Sequence, residues 1–275
     1  MNKSPNESRI VVCGTARNVE RKIDAVVSNV TRSFSSFQEV QILICESFSS
    51  DKTVEKLTKI RERLSNFDFI HDQKIEKNET RRTVRISSSR KELQSEIRQQ
   101  YNDFDYVAML DLDGVNRDLS KNAVDSIWKF DNWDCAFANQ PFRYYDVWAL
   151  RAENWCEQDC WEEFEALTAY MPVKAAMRIA VTSKMKSISK KSPPVLVESA
   201  FGGLGIYRMD AFLEGQYVGH DEAGKEICEH VHFHKTLSKM GYKLYIMPSL
   251  VNLKQHSQRI NVVKELILRL IRRIK

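Results

Sequence analysis

The sequence predicts an α/β protein, with a mixed, mainly parallel sheet flanked by helices in a single domain. Three observations carry that reading. Apolar runs at residues 9–13, 40–45 and 106–110 have the length of strands buried on both faces. Stretches of helical periodicity, residues 19–34 and 53–64, stand between and after them. The chain has 275 residues, 43% hydrophobic and 29% charged, which suits one large domain or a domain with an appendage.

The elements follow in order. Residues 9–13 form a first strand, with Gly14-Thr15-Ala16-Arg17-Asn18 as the loop leaving it. Ile23, Val26, Val27 and Val30 give residues 19–34 an apolar helical stripe. A second strand, 40–45, ends at Glu46; residues 47–51 turn and cap an amphipathic helix over 53–64. A third strand fits 68–71. A polar, basic stretch over 74–90 leads into a helix over 91–101, and the strand at 106–110 stops at Asp111. Further on, 135–139 reads as a strand and 162–180 as helix broken near Pro172. The Ser/Lys-rich segment 182–194 reads as a mobile loop. Strands at 195–197 and 242–247 complete the pattern, with no internal repeat and no second domain.

In parallel α/β sheets, ligands bind outside the carboxyl ends of the strands. Gly14 to Arg17, Glu46 and Asp111 to Asp113 all fall at that edge. Asp111-Leu112-Asp113 is the strongest signal. Two carboxylates one residue apart, at the end of an apolar strand, can hold Mn2+ or Mg2+ against a diphosphate. A solvated acidic turn is the bland alternative. Arg17, Arg85 and Arg90 offer planar guanidinium groups that suit phosphate, although Arg81, Arg82, Arg85 and Arg90 equally suit a solvated basic helix face. Glu46 can bond a ribose hydroxyl or base edge, or cap the following helix.

Tyr145, Asp146, Trp148 and Arg151 join apolar faces to polar tips, as a saccharide pocket requires and as an aromatic core segment also would. Gly202 and Gly203 allow close approach of backbone to a ligand, or simply a tight turn. Cys228-Glu229-His230-Val231-His232-Phe233-His234 is dense in titratable groups. As a helix it aligns His230 with His234; as a strand it aligns all three histidines. No matching ligand set for zinc accompanies it. Asp146 and Glu229 are the candidate catalytic carboxylates, Glu229 either as general base or as an orienting group for the acceptor.

Gly14-Thr15-Ala16-Arg17-Asn18, the aspartate pair and the later Gly-rich segment together resemble the GT-A fold glycosyltransferases. More narrowly, residues 82–90 (RTVRISSSR), 145–151 (YDVWALR) and 201–207 (FGGLGIY) resemble the fungal capsule-associated α-1,3-mannosyltransferase family and its bacterial polysaccharide-biosynthesis relatives. The likeness spans about residues 9–256 and departs at Lys91, where the family pattern has Asn. It implies a GT-A-like fold and a metal-dependent hexosyltransferase. The donor would be a nucleoside-diphosphate sugar, GDP-mannose by family likeness, and the acceptor a glycan or lipid-linked saccharide. It further implies donor contacts at Thr15, Ala16, Arg17, Glu46, Arg85, Arg90 and Asp111. Sugar and acceptor contacts would fall at Tyr145, Trp148, Arg151, Gly202 and Gly203, and a third metal ligand at His256.

Two rival readings remain open. Asp111-Leu112-Asp113-Gly114-Val115 matches the nucleophile motif of haloacid-dehalogenase-like phosphatases, but about a hundred residues of α/β pattern precede it and a downstream acidic pair after a strand is missing. A non-catalytic sugar-nucleotide or glycan-binding module is the other. Net charge of +5 favours anionic partners, while no zinc finger or aromatic-rich basic array points to nucleic acid. Six scattered cysteines read as reduced thiols. The polar N-terminus lacks a signal core, which predicts a cytoplasmic protein. Residues 257–275 read as a separate basic amphipathic helix, suited to the inner face of a membrane or to a second subunit.

Overall fold

A computed structural model describes residues 2–253, apart from 73, 77 and 141. The expected C-terminal helix at 257–275 and His256 lie outside the described residues. One eight-stranded sheet runs through the molecule in the order β3-β2-β1-β4-β7-β5-β8-β6. Its strands are β1 (Arg9–Ala16), β2 (Glu39–Glu46), β3 (Phe67–His71), β4 (Tyr106–Asp111), β5 (Cys135–Asn139), β6 (Val195–Val197), β7 (Leu204–Arg208) and β8 (Leu244–Val251). β1 to β4 pair in parallel, as do β5 and β8; β7 runs antiparallel between β4 and β5, and β6 antiparallel on the β8 edge. The mixed, mainly parallel sheet of the sequence reading is therefore present.

Alternation along each strand divides the core. Val11, Cys13, Val107 and Met109 face one apolar layer, and Ile10, Val12, Tyr106, Ala108 and Leu110 face the other. Helices α1 (Ile23–Ser33) and α2 (Thr53–Arg63) cover the second layer, while α3 (Arg82–Gln100) and α8 (Glu229–Lys239) cover the first. The remaining helices are α4 (Lys121–Asp125), α5 (Cys160–Thr168), α6 (Val173–Ala180) and α7 (Met209–Glu214).

Three departures from expectation bear on the site, besides β7, a strand that the sequence reading left unmarked. β1 continues through Gly14, Thr15 and Ala16, which pair with Ile44, Cys45 and Glu46 instead of forming a loop. A side chain at Gly14 would meet the Leu110 carbonyl at 2.6 Å, so glycine is what lets the backbones run this close. Helix α3 begins at Arg82, nine residues before its expected start. Its first turns bury Thr83, Ser87, Ser89 and Arg90, a polar stripe that apolar periodicity does not reveal. Segment 182–194 is anchored: the carbonyls of Lys184, Lys186 and Ile188 accept bonds from Trp155 Nε1, Tyr144 N and Asn139 Nδ2. All six cysteines are free and buried, as reduced thiols require.

Candidate active site

Register brings the predicted site residues together. Thr15 lies opposite Asp111, Ala16 opposite Glu46, and Glu46 opposite His71, all at the carboxyl ends of adjacent parallel strands. Glu46 is buried; one carboxylate oxygen accepts from Ser49 N at 2.6 Å and the other meets His71 Nδ1 at 2.8 Å. That carboxylate therefore holds the turn after β2 and orients a half-exposed imidazole at the rim.

Asp111 ends β4 with its side chain 31% exposed. Its backbone N–H donates to the Gly203 carbonyl at 2.9 Å, and its Oδ1 accepts from Arg90 Nη2 at 3.2 Å. Burial, Asp113 and Asp146 push its carboxyl up to about 7, against the pull of Arg90 and Arg82. Asp113 is exposed, accepts from Val115 N at 3.1 Å, and lends its carbonyl to Lys22 Nζ.

A buried amide chain that sequence reasoning did not single out fixes this loop. Asn116 Nδ2 donates to the carbonyls of Asp111 (2.9 Å) and Gly203 (2.8 Å). Asn252 Nδ2 donates to Asn116 Oδ1 (2.9 Å) and the Gly202 carbonyl (2.8 Å), and Gln140 Nε2 donates to the Gly202 carbonyl and Asn252 Oδ1. Gly202 and Gly203 adopt φ of 65° and 86°, the left-handed region, and a side chain at Gly202 would meet the Ala138 carbonyl at 2.8 Å. Asp146 Oδ2 accepts from Gly202 N at 3.1 Å, which puts that candidate carboxylate on the same turn. Asn116→Leu is expected to lower unfolding free energy by about 1–3 kcal/mol, because the Asp111 carbonyl loses this donor, the Gly203 carbonyl keeps only Asp111 N, and buried Asn252 Nδ2 loses an acceptor. Urea denaturation measures it; an unchanged midpoint would mean the clamp contributes little.

Arg90 is 2% exposed. It donates through Nη1 to Glu229 Oε1 and through Nη2 to Asp111, and lies 5.1 Å from the Phe201 ring. Burial works against its charge, but Glu229 and Asp111 more than offset this and raise its pKa. Glu229, the first residue of α8, is therefore a buried partner of Arg90. The helical alternative holds for 228–234: His230 and His234 stack with ring centroids 5.4 Å apart. His230 Nε2 faces Arg90 Nη1 at 2.5 Å, while His234 bonds Ser199 Oγ and Tyr207 Oη.

Burial and Arg90 hold His234 at about 3, and burial, Arg90 and the neighbouring His234 hold His230 well below its ordinary 6.5. Between pH 6.5 and 5 the unfolded chain therefore takes up protons that these folded histidines refuse. Stability falls as pH falls, by about 1.4 kcal/mol per unit for each histidine. Asp111, whose folded value lies above its unfolded one, opposes this in part. A net loss that steepens toward about 1.3 kcal/mol per unit near pH 5 is expected in denaturant titrations without metal; a stability that rises as pH falls would contradict it.

The other candidates are distributed around this centre. Arg85 donates to the carbonyls of Glu79 and Thr80, and burial, Arg17 and Arg82 depress its pKa. Arg85 therefore feels the like charges of Arg17 and Arg82, and Asp111 feels the opposite charge of Arg82. Arg151 is committed to Asp159 at 3.0 Å and to the carbonyls of Trp148 and Leu150, and Trp148 Nε1 also reaches Asp159. Both residues are thereby tied to Asp159, the cap of α5, while Tyr145 lies near Gly203. Asp72, which carried no sequence signal, accepts from Ser88 and Ser89 and ties the start of α3 to the end of β3.

A hard divalent cation fits the donor set: two carboxylates on a strand end, one of them oriented by Arg90. Among the described residues no group of three His, Cys, Asp or Glu could hold a metal, so a cation here needs further oxygen ligands. Zinc at 228–234 is disfavoured, since His230 and His234 are committed to other partners.

The sheet order, with the acidic pair ending its central parallel strand, defines a GT-A-like fold. No protein-family model and no curated protein matches the chain. Among solved structures it is similar to the mannosyltransferase PcManGT from Pyrobaculum calidifontis, solved with GDP-Man and Mn2+: TM-score 0.50, 13% identity, 91% of this chain and 58% of that one. It is also similar to TarS 1-349 from S. aureus with UDP-GlcNAc (TM-score 0.49, 13% identity, 90% and 58%). Glucosyl-3-phosphoglycerate synthase from Mycobacterium tuberculosis, with Mn2+, UDP-Glc and phosphoglyceric acid, aligns at TM-score 0.43, 12% identity, over 90% and 69%. The chain thus spans 58% of the length of the first two. The first likeness establishes the fold; the narrower resemblance to the capsule family rests on its motifs alone.

Proposed function

We propose that the chain is a metal-dependent glycosyltransferase, moving a hexose from a nucleoside-diphosphate sugar to a glycan or lipid-linked acceptor. The observation that supports it most is the strand register that gathers Thr15, Ala16, Glu46 and Asp111-Leu112-Asp113 on one edge. The PcManGT structure, whose fold this chain shares, carries GDP-Man and Mn2+. When bound, Mn2+ or Mg2+ at Asp111 and Asp113 supplies positive charge against the departing diphosphate.

The chain's own residues do the rest. The cations Arg17, Arg82 and Arg85 attract the diphosphate, whose binding relieves the like-charge repulsion on Arg85. Glu46 and His71 meet the nucleoside at the β2 end. Asp146, on the glycine turn, and Tyr145 stand on the sugar and acceptor side, with Trp148 and Arg151 as its wall. Glu229 acts through Arg90, orienting Asp111. The third metal ligand implied by the motif resemblance, His256, lies outside the described residues.

Thermal shift with nucleoside diphosphates tests this. A nucleotide present at a hundred times its Kd stabilises by about 2.7 kcal/mol, and the shift should require Mn2+ or Mg2+. Metal-independent shifts for all nucleotides would point to a bare binding module. Release of inorganic phosphate from a phosphoester with Mg2+ alone would instead favour the phosphatase.

A further inference from the structure

One stretch of the surface is set apart by two independent properties. From residue 166 to 197 the sequence contains no acidic residue, while Lys174, Arg178, Lys184, Lys186, Lys190 and Lys191 all fall within it. The same stretch holds four of the six large apolar side chains exposed among the described residues: Tyr170 at 88%, Val173 at 52%, Ile179 at 45% and Leu196 at 63%. Solvent-exposed aliphatic and aromatic groups are rarely concentrated this way without a partner.

The local fold explains how they come to be displayed. Helices α5 and α6 form a hairpin whose inner side, with Trp161, Met177 and Ala180, packs on Val147 in a small apolar cluster. Ala176, Met177 and Ala180 take the buried positions of α6, which leaves Lys174, Arg178 and Ile179 outward. Pro172 stops α5 from continuing and turns the chain, so Tyr170, Pro172 and Val173 form an uncovered tip. Lys184 is held by Glu163, but Lys174, Arg178, Lys186, Lys190 and Lys191 are exposed. An acidic protein would be matched by the cations alone. A projecting aromatic and aliphatic tip backed by lysine and arginine matches instead the boundary of an anionic bilayer, where rings sit at headgroup depth and cations meet lipid phosphate.

We propose that the α5–α6 tip and the basic strap after it are a docking surface for an anionic phospholipid bilayer. The hairpin packs on Val147 and Trp148, next to Tyr145 and Asp146, so docking there holds the acceptor side of the proposed site against the lipid. No helix among the described residues is long and apolar enough to cross a membrane, and the surface described here needs none.

The test measures binding to vesicles of phosphatidylglycerol and phosphatidylcholine, without donor or metal, so that it stands apart from the transferase reading. The full chain is used with its basic tail neutralised (Lys264→Gln, Arg269→Gln, Arg272→Gln, Arg273→Gln, Lys275→Gln). That protein should sediment with anionic vesicles and not with phosphatidylcholine alone. Adding Tyr170→Ser, Val173→Ser and Ile179→Ser, or separately Lys190→Glu and Lys191→Glu, should lower the partition coefficient about tenfold or more, with circular dichroism unchanged. Amide exchange over 169–180 should slow only when vesicles are present. The proposal is overturned if the tail-neutralised protein ignores anionic vesicles, if the variants bind equally well, or if 169–180 is protected by self-association without lipid.

Discussion

Asp113→Ala should reduce donor-dependent sugar transfer by roughly two to three orders of magnitude while leaving the melting temperature nearly unchanged. The asymmetry follows from where the side chain sits. Asp113 is exposed, and within the fold it does little beyond accepting from Val115 N in its own turn. Its loss therefore removes no core packing, whereas Asp111, which already shares its Oδ1 with Arg90, does not replace the charge that Asp113 offers a cation. Single-turnover rates at saturating Mn2+ would check it, with Asp113→Asn keeping the turn and losing the charge. Wild-type-like transfer in both variants would remove Asp113 as the metal-holding carboxylate.

Arg90→Met should cost about 3–5 kcal/mol of stability, the largest loss expected from any single exchange at this site. The methionine fills similar volume against Phe201 and Tyr217, so the effect comes from charge rather than from a cavity. Removing the guanidinium leaves Glu229, itself buried, without its cation, and Asp111 without its orienting partner. A double exchange, Arg90→Met with Glu229→Leu, should recover most of the stability, yet not the metal-dependent activity, since Asp111 stays unheld. Chemical denaturation and Mn2+ titration measure the two effects separately. A loss in the double variant equal to the sum of the separate Arg90→Met and Glu229→Leu losses would show that the pair is not coupled.

The parts of this molecule that were legible in the sequence are those built by apolar repetition. The runs at 9–13, 40–45 and 106–110 became β1, β2 and β4 because a parallel strand covered on both faces has no polar alternation to confuse it. Their carboxyl ends then located Glu46 and Asp111 correctly on one edge. The start of α3 was hidden for the converse reason. Its buried face is Thr83, Ser87 and Arg90, held by Glu226 and Asp111, and no hydropathy period betrays such a face. Strand β7 was likewise unmarked, as five residues after two glycines read as part of a turn. The amide chain of Asn116, Gln140 and Asn252 left no trace, since its meaning lies in pairings across the fold rather than in local spacing. Arg90 was singled out as a phosphate contact, and the structure adds what the sequence could not: its partners are two carboxylates 21 and 139 residues away.

That amide chain also sets a timetable. The loop carrying the aspartates is fastened to the glycine turn through Asn252, which lies 136 residues after the asparagine it bonds. A chain still emerging from the ribosome can complete its first four strands and still lack a rigid pocket. Competence of the proposed site to hold a nucleotide should therefore appear abruptly, once Asn252 is released, and not grow in proportion to length.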